Sequence, residues 1–173
     1  MNAFVQFGLI LLPAALVLYG AFLMVRSFLA REVDLRRLEV RSRALETILP
    51  ARLQAYERMT LFLERIAPQN LLVRLNDPAY SARDFQKVLL DEIRNEYNHN
   101  VSQQVYMSEQ VWSLIKGSKE DLTVLINEAA TQVGATATSL DLAKRIFEIS
   151  NQKGVDPIAH AISELKKEIQ QVF

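Results

Sequence analysis

AFVQFGLILLPAALVLYGAFLMV, residues 3–25, carries no charged side chain; charge begins at Arg26 and persists to the C-terminus. A bilayer core takes about 20 apolar residues in helical form. Ala3–Val25 meets that need with Leu, Ile, Val, Phe and Ala, and Gln6 is its only strongly polar side chain. Pro13 falls mid-span, where membrane helices tolerate proline because neighbouring groups satisfy the freed carbonyl. A secretory signal would show a basic start, a shorter apolar core and a small-residue cleavage site. Met1-Asn2-Ala3 has no basic side chain and the apolar run is too long. Residues 1–25 therefore read as a retained transmembrane anchor.

Orientation follows from the flank. Arg26, Arg31, Arg36, Arg37, Arg41 and Arg43 all follow the span, and no Lys or Arg precedes it. Basic flanks stay in the cytoplasm. The expectation is a single-pass protein with its N-terminus outside, its C-terminal domain cytoplasmic, and a lipid bilayer contacted through residues 3–25. No GxxxG pair supports close packing of two anchors.

Beyond the anchor, 148 of the 173 residues remain, enough for one domain with its own core. Gly and Pro number five each, while aliphatics, Ala, Glu, Arg and Gln dominate, a composition that favours helix. Cysteine is absent, which excludes disulfides, thiol nucleophiles and cysteine-ligated metals. The zero net charge hides an asymmetry. Arg26–Arg74 holds ten arginines against six acids, net +4, and Leu75–Phe173 holds ten bases against fourteen acids, net −4. The positive end follows the span. A neutral chain without a basic stripe or aromatic platforms gives no reason to expect nucleic acid.

Residues 26–49 read as a basic helical stalk. Their apolar spacing is too irregular for a coiled coil, which needs several sustained heptads. Pro50 suits the first turn of a new helix, so a joint is expected near Leu49, and the prolines at 50, 68, 78 and 157 argue against one continuous rod. Residues 50–173 form the predicted helical domain. In Ala51–Ala67, the residues Leu53, Tyr56, Met59, Thr60, Leu63 and Ile66 share one face at helical spacing. Leu61 falls on the polar side and Phe62 at its margin, so this pair is the expected partner contact. Ser81 caps a helix with Asp84 in its first turn, running to about Gln103. Ser108 caps Glu109–Val133, with Gly134 at its C-terminal stop. Ser139 caps Leu140–Gln152, Gly154 ends it, and Asp156-Pro157 opens the last helix.

The sharpest chemical candidate is a polar cluster in the helix after Ser81. Phe85, Leu89, Ile93 and Tyr97 mark its apolar stripe. Glu92, Glu96 and His99 interrupt that stripe, and Asn100 and Gln103 continue the polar face. Glu96-Tyr97-Asn98-His99 has the Glu-x-x-His spacing of di-iron bundles, which need two such motifs and two further glutamates. His160, the only other histidine, lacks the motif. A structural hydrogen-bonded network is the favoured reading, because buried polar groups need partners. No Gly-x-Ser-x-Gly elbow and no glycine-rich phosphate loop occurs. No catalytic residue, metal ligand or cofactor is expected.

Arg52-Leu53-Gln54-Ala55-Tyr56-Glu57-Arg58, Leu61-Phe62-Leu63-Glu64-Arg65-Ile66, and Glu96 through Gln104 (EYNHNVSQQ) follow the apolar N-terminus. Together they resemble a family of uncharacterised bacterial single-pass membrane proteins, a domain of unknown function. The resemblance covers nearly the whole chain. It implies a bacterial inner membrane and an all-helical cytoplasmic domain, and it supplies no activity. The expected architecture is all-α: a transmembrane helix, a charged stalk and a cytoplasmic bundle of about five helices. The expected role is a non-enzymatic scaffold, adaptor or accessory subunit of an envelope complex, through a protein partner or self-association. A ligand- or metal-binding domain built on Glu92, Glu96 and His99 is the alternative.

Overall fold

The structure, a computed structural model, describes residues 16–171 apart from 38, 41, 42, 44, 45, 47, 153 and 155. It is all-helical. In chain order the α-helices are α1 (Ala3–Ile66), α2 (Pro68–Leu75), α3 (Ala82–Asn100), α4 (Glu109–Gln132), α5 (Ser139–Gln152) and α6 (Pro157–Gln170), with a 3₁₀ helix at Val101–Tyr106 between α3 and α4. Contacts divide the chain into one unit at Met1–Leu49 and another at Pro50–Phe173.

The boundary between the two units falls at Leu49–Pro50, and the helical assignment of α1 takes in Pro50. Proline removes one i→i−4 hydrogen bond and crowds the preceding turn, which costs about 3 kcal/mol or more when no other interaction offsets it. The residues after Pro50 have strong reason to remain helical, because they bury a full apolar face. The break comes at Ala67-Pro68, where Pro68 takes the first position of α2. There Asn70 Nδ2 donates to the Glu64 carbonyl at 2.8 Å, satisfying one of the carbonyls that the end of α1 leaves free.

Among the described residues, no helix is long and apolar enough to cross a membrane. The expected anchor, Ala3–Val25, lies in large part outside them, since residues 1–15 are not described.

The core belongs to the unit Pro50–Phe173. It gathers Tyr56, Met59, Phe62, Leu63 and Ile66 from α1, Leu71 and Leu72 from α2, and Phe85, Leu89 and Ile93 from α3. Helix α4 adds Val111, Trp112, Ile115, Leu122, Leu125, Ile126 and Ala129, with Leu142, Ile146 and Ile149 from α5 and Ile158, Ala161 and Leu165 from α6. Apart from the adjacent pair of α2, each set follows the three- and four-residue spacing of one helix face. The expected face of α1 is rotated by roughly 50° (100° per residue): Phe62 is in the core and Leu53 is 36% exposed.

Three of the expected caps form. Ser81 Oγ accepts from Asp84 N at 3.2 Å, Ser108 Oγ from Val111 N at 3.2 Å, and Asp156 Oδ1 from Ile158 N at 2.9 Å. The cap of α5 differs from expectation. Thr138, not Ser139, takes that role: its Oγ1 accepts from Asp141 N at 3.3 Å, while Asp141 Oδ2 accepts from Thr138 N at 2.9 Å. Ser139 is buried instead, and its Oγ donates to the Asp77 carbonyl at 2.8 Å. Gly134 is not a left-handed stop. Val133 leaves α4 in extended backbone, and among the described residues only Gly154 has positive φ, at 66°.

The loops before α3 and α5 pair with each other. Ser81 and Thr138 form an isolated antiparallel bridge. Ala82 N donates to Ala137 O at 2.9 Å, and Ser139 N to Tyr80 O at 3.1 Å. Two helix starts with the same hydroxyl-x-x-Asp chemistry are thereby bonded together.

Candidate functional site

The polar cluster of α3 resolves into two unlike parts. Glu92 and Glu96, one turn apart, face the end of α1 and α2. Arg65 Nε lies 2.7 Å from Glu96 Oε1 and its Nη2 lies 3.6 Å from Glu92 Oε1. Arg74 Nη1 donates to Glu92 Oε1 at 2.6 Å, and its Nη2 reaches the Arg65 carbonyl at 3.5 Å. Two arginines and two carboxylates thus tie α1, α2 and α3 together at the core's edge. The Arg74 hydrogen bond holds the Glu92 carboxyl below its ordinary value, against partial burial that pushes it up.

His99, Asn100 and Gln103 do not join this network. His99 is exposed and its Nδ1 pairs with the Asn95 carbonyl at 2.8 Å within its own helix. Asn100 Nδ2 donates to the Glu96 carbonyl at 2.8 Å, and Gln103 Nε2 to Ser102 Oγ at 3.4 Å. Among the described residues, no three His, Asp or Glu side chains gather as a metal ion requires. The Glu-x-x-His spacing is present, but its carboxylate is spent on Arg65.

This network carries a pH prediction. A carboxylate with a depressed folded pKa stabilises fully above its unfolded value and loses that contribution as pH falls through the folded one. Wild-type stability is expected to fall on acidification below the ordinary Glu range near 4.5. Glu92→Gln removes part of that slope, and an Arg74–Glu92 double-mutant cycle at neutral pH gives a coupling of about 1 kcal/mol or less, as for partly exposed pairs. Urea melts at several pH values read both.

The expected contact pair Leu61–Phe62 is split. Leu61 is 54% exposed, whereas Phe62 is 1% exposed and packs on Tyr97 with ring centroids 6.1 Å apart. Phe62 is therefore withdrawn as a contact residue. Tyr97 continues the aromatic row: it stacks on Trp112 at 5.8 Å and 25°, and Lys119 Nζ sits 4.6 Å from its centroid. Leu61 has a different neighbour. It lines an open groove of 530 Å³ between α1 and α2 with Glu64, Arg65, Gln69, Val73 and Arg74. Val73, 78% exposed, is the apolar side chain that sequence reasoning did not single out. Its signal was its place opposite the buried Leu71–Leu72 pair of a short helix.

A second polar assembly was also missed. Tyr56, 2% exposed on α1, donates to Glu168 Oε1 on α6 at 2.5 Å. Ser108 N donates to the same oxygen at 2.9 Å, and Ser108 Oγ donates to Glu168 Oε2. Arg52 Nη2 donates to the Tyr56 hydroxyl at 3.1 Å. Burial pushes the Glu168 carboxyl up, but the Ser108 and Tyr56 hydrogen bonds and the Arg52 charge outweigh it and hold it below its ordinary value. Burial and the Glu168 bond push the Tyr56 phenol up. One carboxylate thus joins α1, the cap of α4 and the last turn of α6.

Of the arginines expected to flank a membrane, Arg26, Arg31, Arg36 and Arg37 are all exposed, and Arg36 Nε pairs with Glu32 at 3.1 Å.

The sequence matches a family of unknown function, DUF7935, over residues 2–172. The chain belongs to that family, and its all-helical architecture agrees with the expected resemblance. No curated protein matches it. No solved structure matches it.

Proposed function

We propose that this protein is a membrane-anchored, non-enzymatic adaptor or accessory subunit of a bacterial envelope complex. The observation that carries this reading is the uncharged run Ala3–Val25 followed by six arginines by position 43. Such a run is long enough to span a bilayer, and its flank assigns the following domain to the cytoplasm. The family match takes in the apolar run and the helical domain together. Tethering confines a binding surface to the membrane and raises its effective concentration without new contacts. The surface that suits a partner is the α1–α2 groove, where Leu61 and Val73 stand exposed beside Arg65 and Arg74. The ligand- or metal-binding alternative is not carried forward, because Glu92 and Glu96 are bound to arginines.

The test is affinity purification of the full-length protein from native membranes in mild detergent, beside a chain lacking residues 1–25. A stoichiometric membrane complex recovered only with the anchored chain, and lost from Leu61→Ser/Val73→Ser, is the expected result. A protein recovered in the soluble fraction, or a complex indifferent to that double substitution, overturns the anchor or the contact surface respectively.

A further inference from the structure

A cavity of 310 Å³ opens where the middle of α4 meets the end of α5 and the starts of α6 and α2. It shares no residue with the Glu92–Glu96 brace or with the groove of Leu61 and Val73. Its floor is apolar, made by the buried Pro68, Leu122, Leu125 and Ile158. An apolar cavity of about 150 Å³ already takes up benzene, so this one has room for a ring and a short stem. Its rim is acidic. Asp121 and Asp156 stand exposed there, and among the described lining residues there is no Lys, Arg or His. Asp121 has no hydrogen bond or ion pair among the described residues. Asp156 spends Oδ1 on the amides of Ile158 and Ala159, at 2.9 and 3.1 Å, which leaves Oδ2 uncommitted. The third polar group is Ser150. A serine within a helix commonly bonds back to the carbonyl four residues earlier, as Ser118 does to Leu114 at 2.8 Å. Ser150 makes no such bond, and its hydroxyl is free at the cavity wall.

We infer that this cavity binds a small organic cation, an apolar body carrying one primary ammonium. The floor favours any ligand that takes its apolar surface out of water. Charge then selects among such ligands. Two carboxylates beside low-dielectric walls concentrate a negative potential at the mouth. An anion is repelled there, and a neutral ligand covers the floor while leaving the carboxylates unanswered. An ammonium brings three N–H donors, and Asp121, Asp156 Oδ2 and Ser150 Oγ are three acceptors without other partners. A bare metal ion fits worse, because among the described residues no third His, Asp or Glu completes a set. A mostly apolar cleft with a few free polar groups and a volume of about 300–1,000 Å³ is the usual form of a small-molecule site.

The full-length chain in mild detergent is titrated by calorimetry with phenethylamine, phenethyl alcohol and hydrocinnamate, against a blank of detergent alone. The amine is expected to bind once per chain and about tenfold more tightly than the alcohol, as hydrogen bonds to charged groups imply. The carboxylate is expected to give no heat above the blank. Asp121→Asn with Asp156→Asn removes the charge and keeps the start of α6, since Asn caps a helix as well as Asp. That double variant is expected to bring the amine down to the affinity of the alcohol, with the alcohol and the thermal midpoint unchanged. Ser150→Leu fills the cavity from its rim and is expected to weaken amine and alcohol together. Equal affinities for amine and alcohol in the wild-type chain overturn the cationic class. Amine binding that survives both variants belongs elsewhere and overturns the site, as does an absence of heat with every probe. None of these readouts depends on the anchor or on a protein partner.

Discussion

Phe62→Ala is expected to lower the unfolding free energy by about 3–5 kcal/mol, the range for truncating a buried phenylalanine. Phe62 is 1% exposed and meets Tyr97 at 6.1 Å, so the substitution opens a void under the aromatic row and withdraws a ring contact. Its neighbour gives the control. Leu61→Ser, at a side chain 54% exposed, changes stability by about 0.5 kcal/mol or less, as surface substitutions do. Denaturant melts of the two variants side by side decide the matter. Equal midpoints would place both residues on the surface and contradict the packing of α1. The comparison also bears on function, because a partner lost from a Leu61–Phe62 double variant would report unfolding rather than a contact.

The second large effect is expected at Glu168. Glu168→Leu leaves the Tyr56 hydroxyl buried without its acceptor and strips two bonds from Ser108. An unsatisfied buried hydroxyl costs about 1–3 kcal/mol, and the total is expected near the top of that range. Glu168→Gln separates charge from shape. The folded carboxyl is held below its ordinary value. Its stabilisation is therefore complete above the ordinary Glu range and is lost as pH falls through the depressed folded value. Glu168→Gln should flatten that part of the stability-against-pH curve while costing less than Glu168→Leu at neutral pH. Unfolding followed between neutral and strongly acidic pH tests both statements. An unchanged acid slope in Glu168→Gln would show that the carboxylate is not the group being titrated.

Local chemistry was legible in the sequence, and long-range partnership was not. Ser81, Ser108 and Asp156 were readable as caps because a short polar side chain needs only the amides two or three residues ahead. Thr138 and Ser139 show the limit. Both are hydroxyl residues at adjacent positions, and the choice between them was made by the Asp77 carbonyl, 62 residues away. In α1 the helical period was right and its phase was not, since neighbours decide which of two adjoining apolar flanks is covered. For the cluster in α3, the odd placement of Glu92 and Glu96 beside apolar residues was visible. Their partners, Arg65 and Arg74, were not, and they turn an apparent ligand set into a brace. The Tyr56–Glu168 bond spans 112 residues. Its only signal was that a tyrosine on a buried face must find an acceptor.

The bridge between Ser81 and Thr138 bears on where this chain can be labelled. Loop segments between helices are ordinarily the first choice for an inserted epitope or fluorescent domain, because their backbone is solvated and displacing it costs little. Here each loop supplies the other's hydrogen-bond partners: Ala82 N with Ala137 O, and Ser139 N with Tyr80 O. An insert in either loop would open both, and with them the starts of α3 and α5. A reporter placed at 77–81 or 135–139 would therefore perturb two helices from one cut.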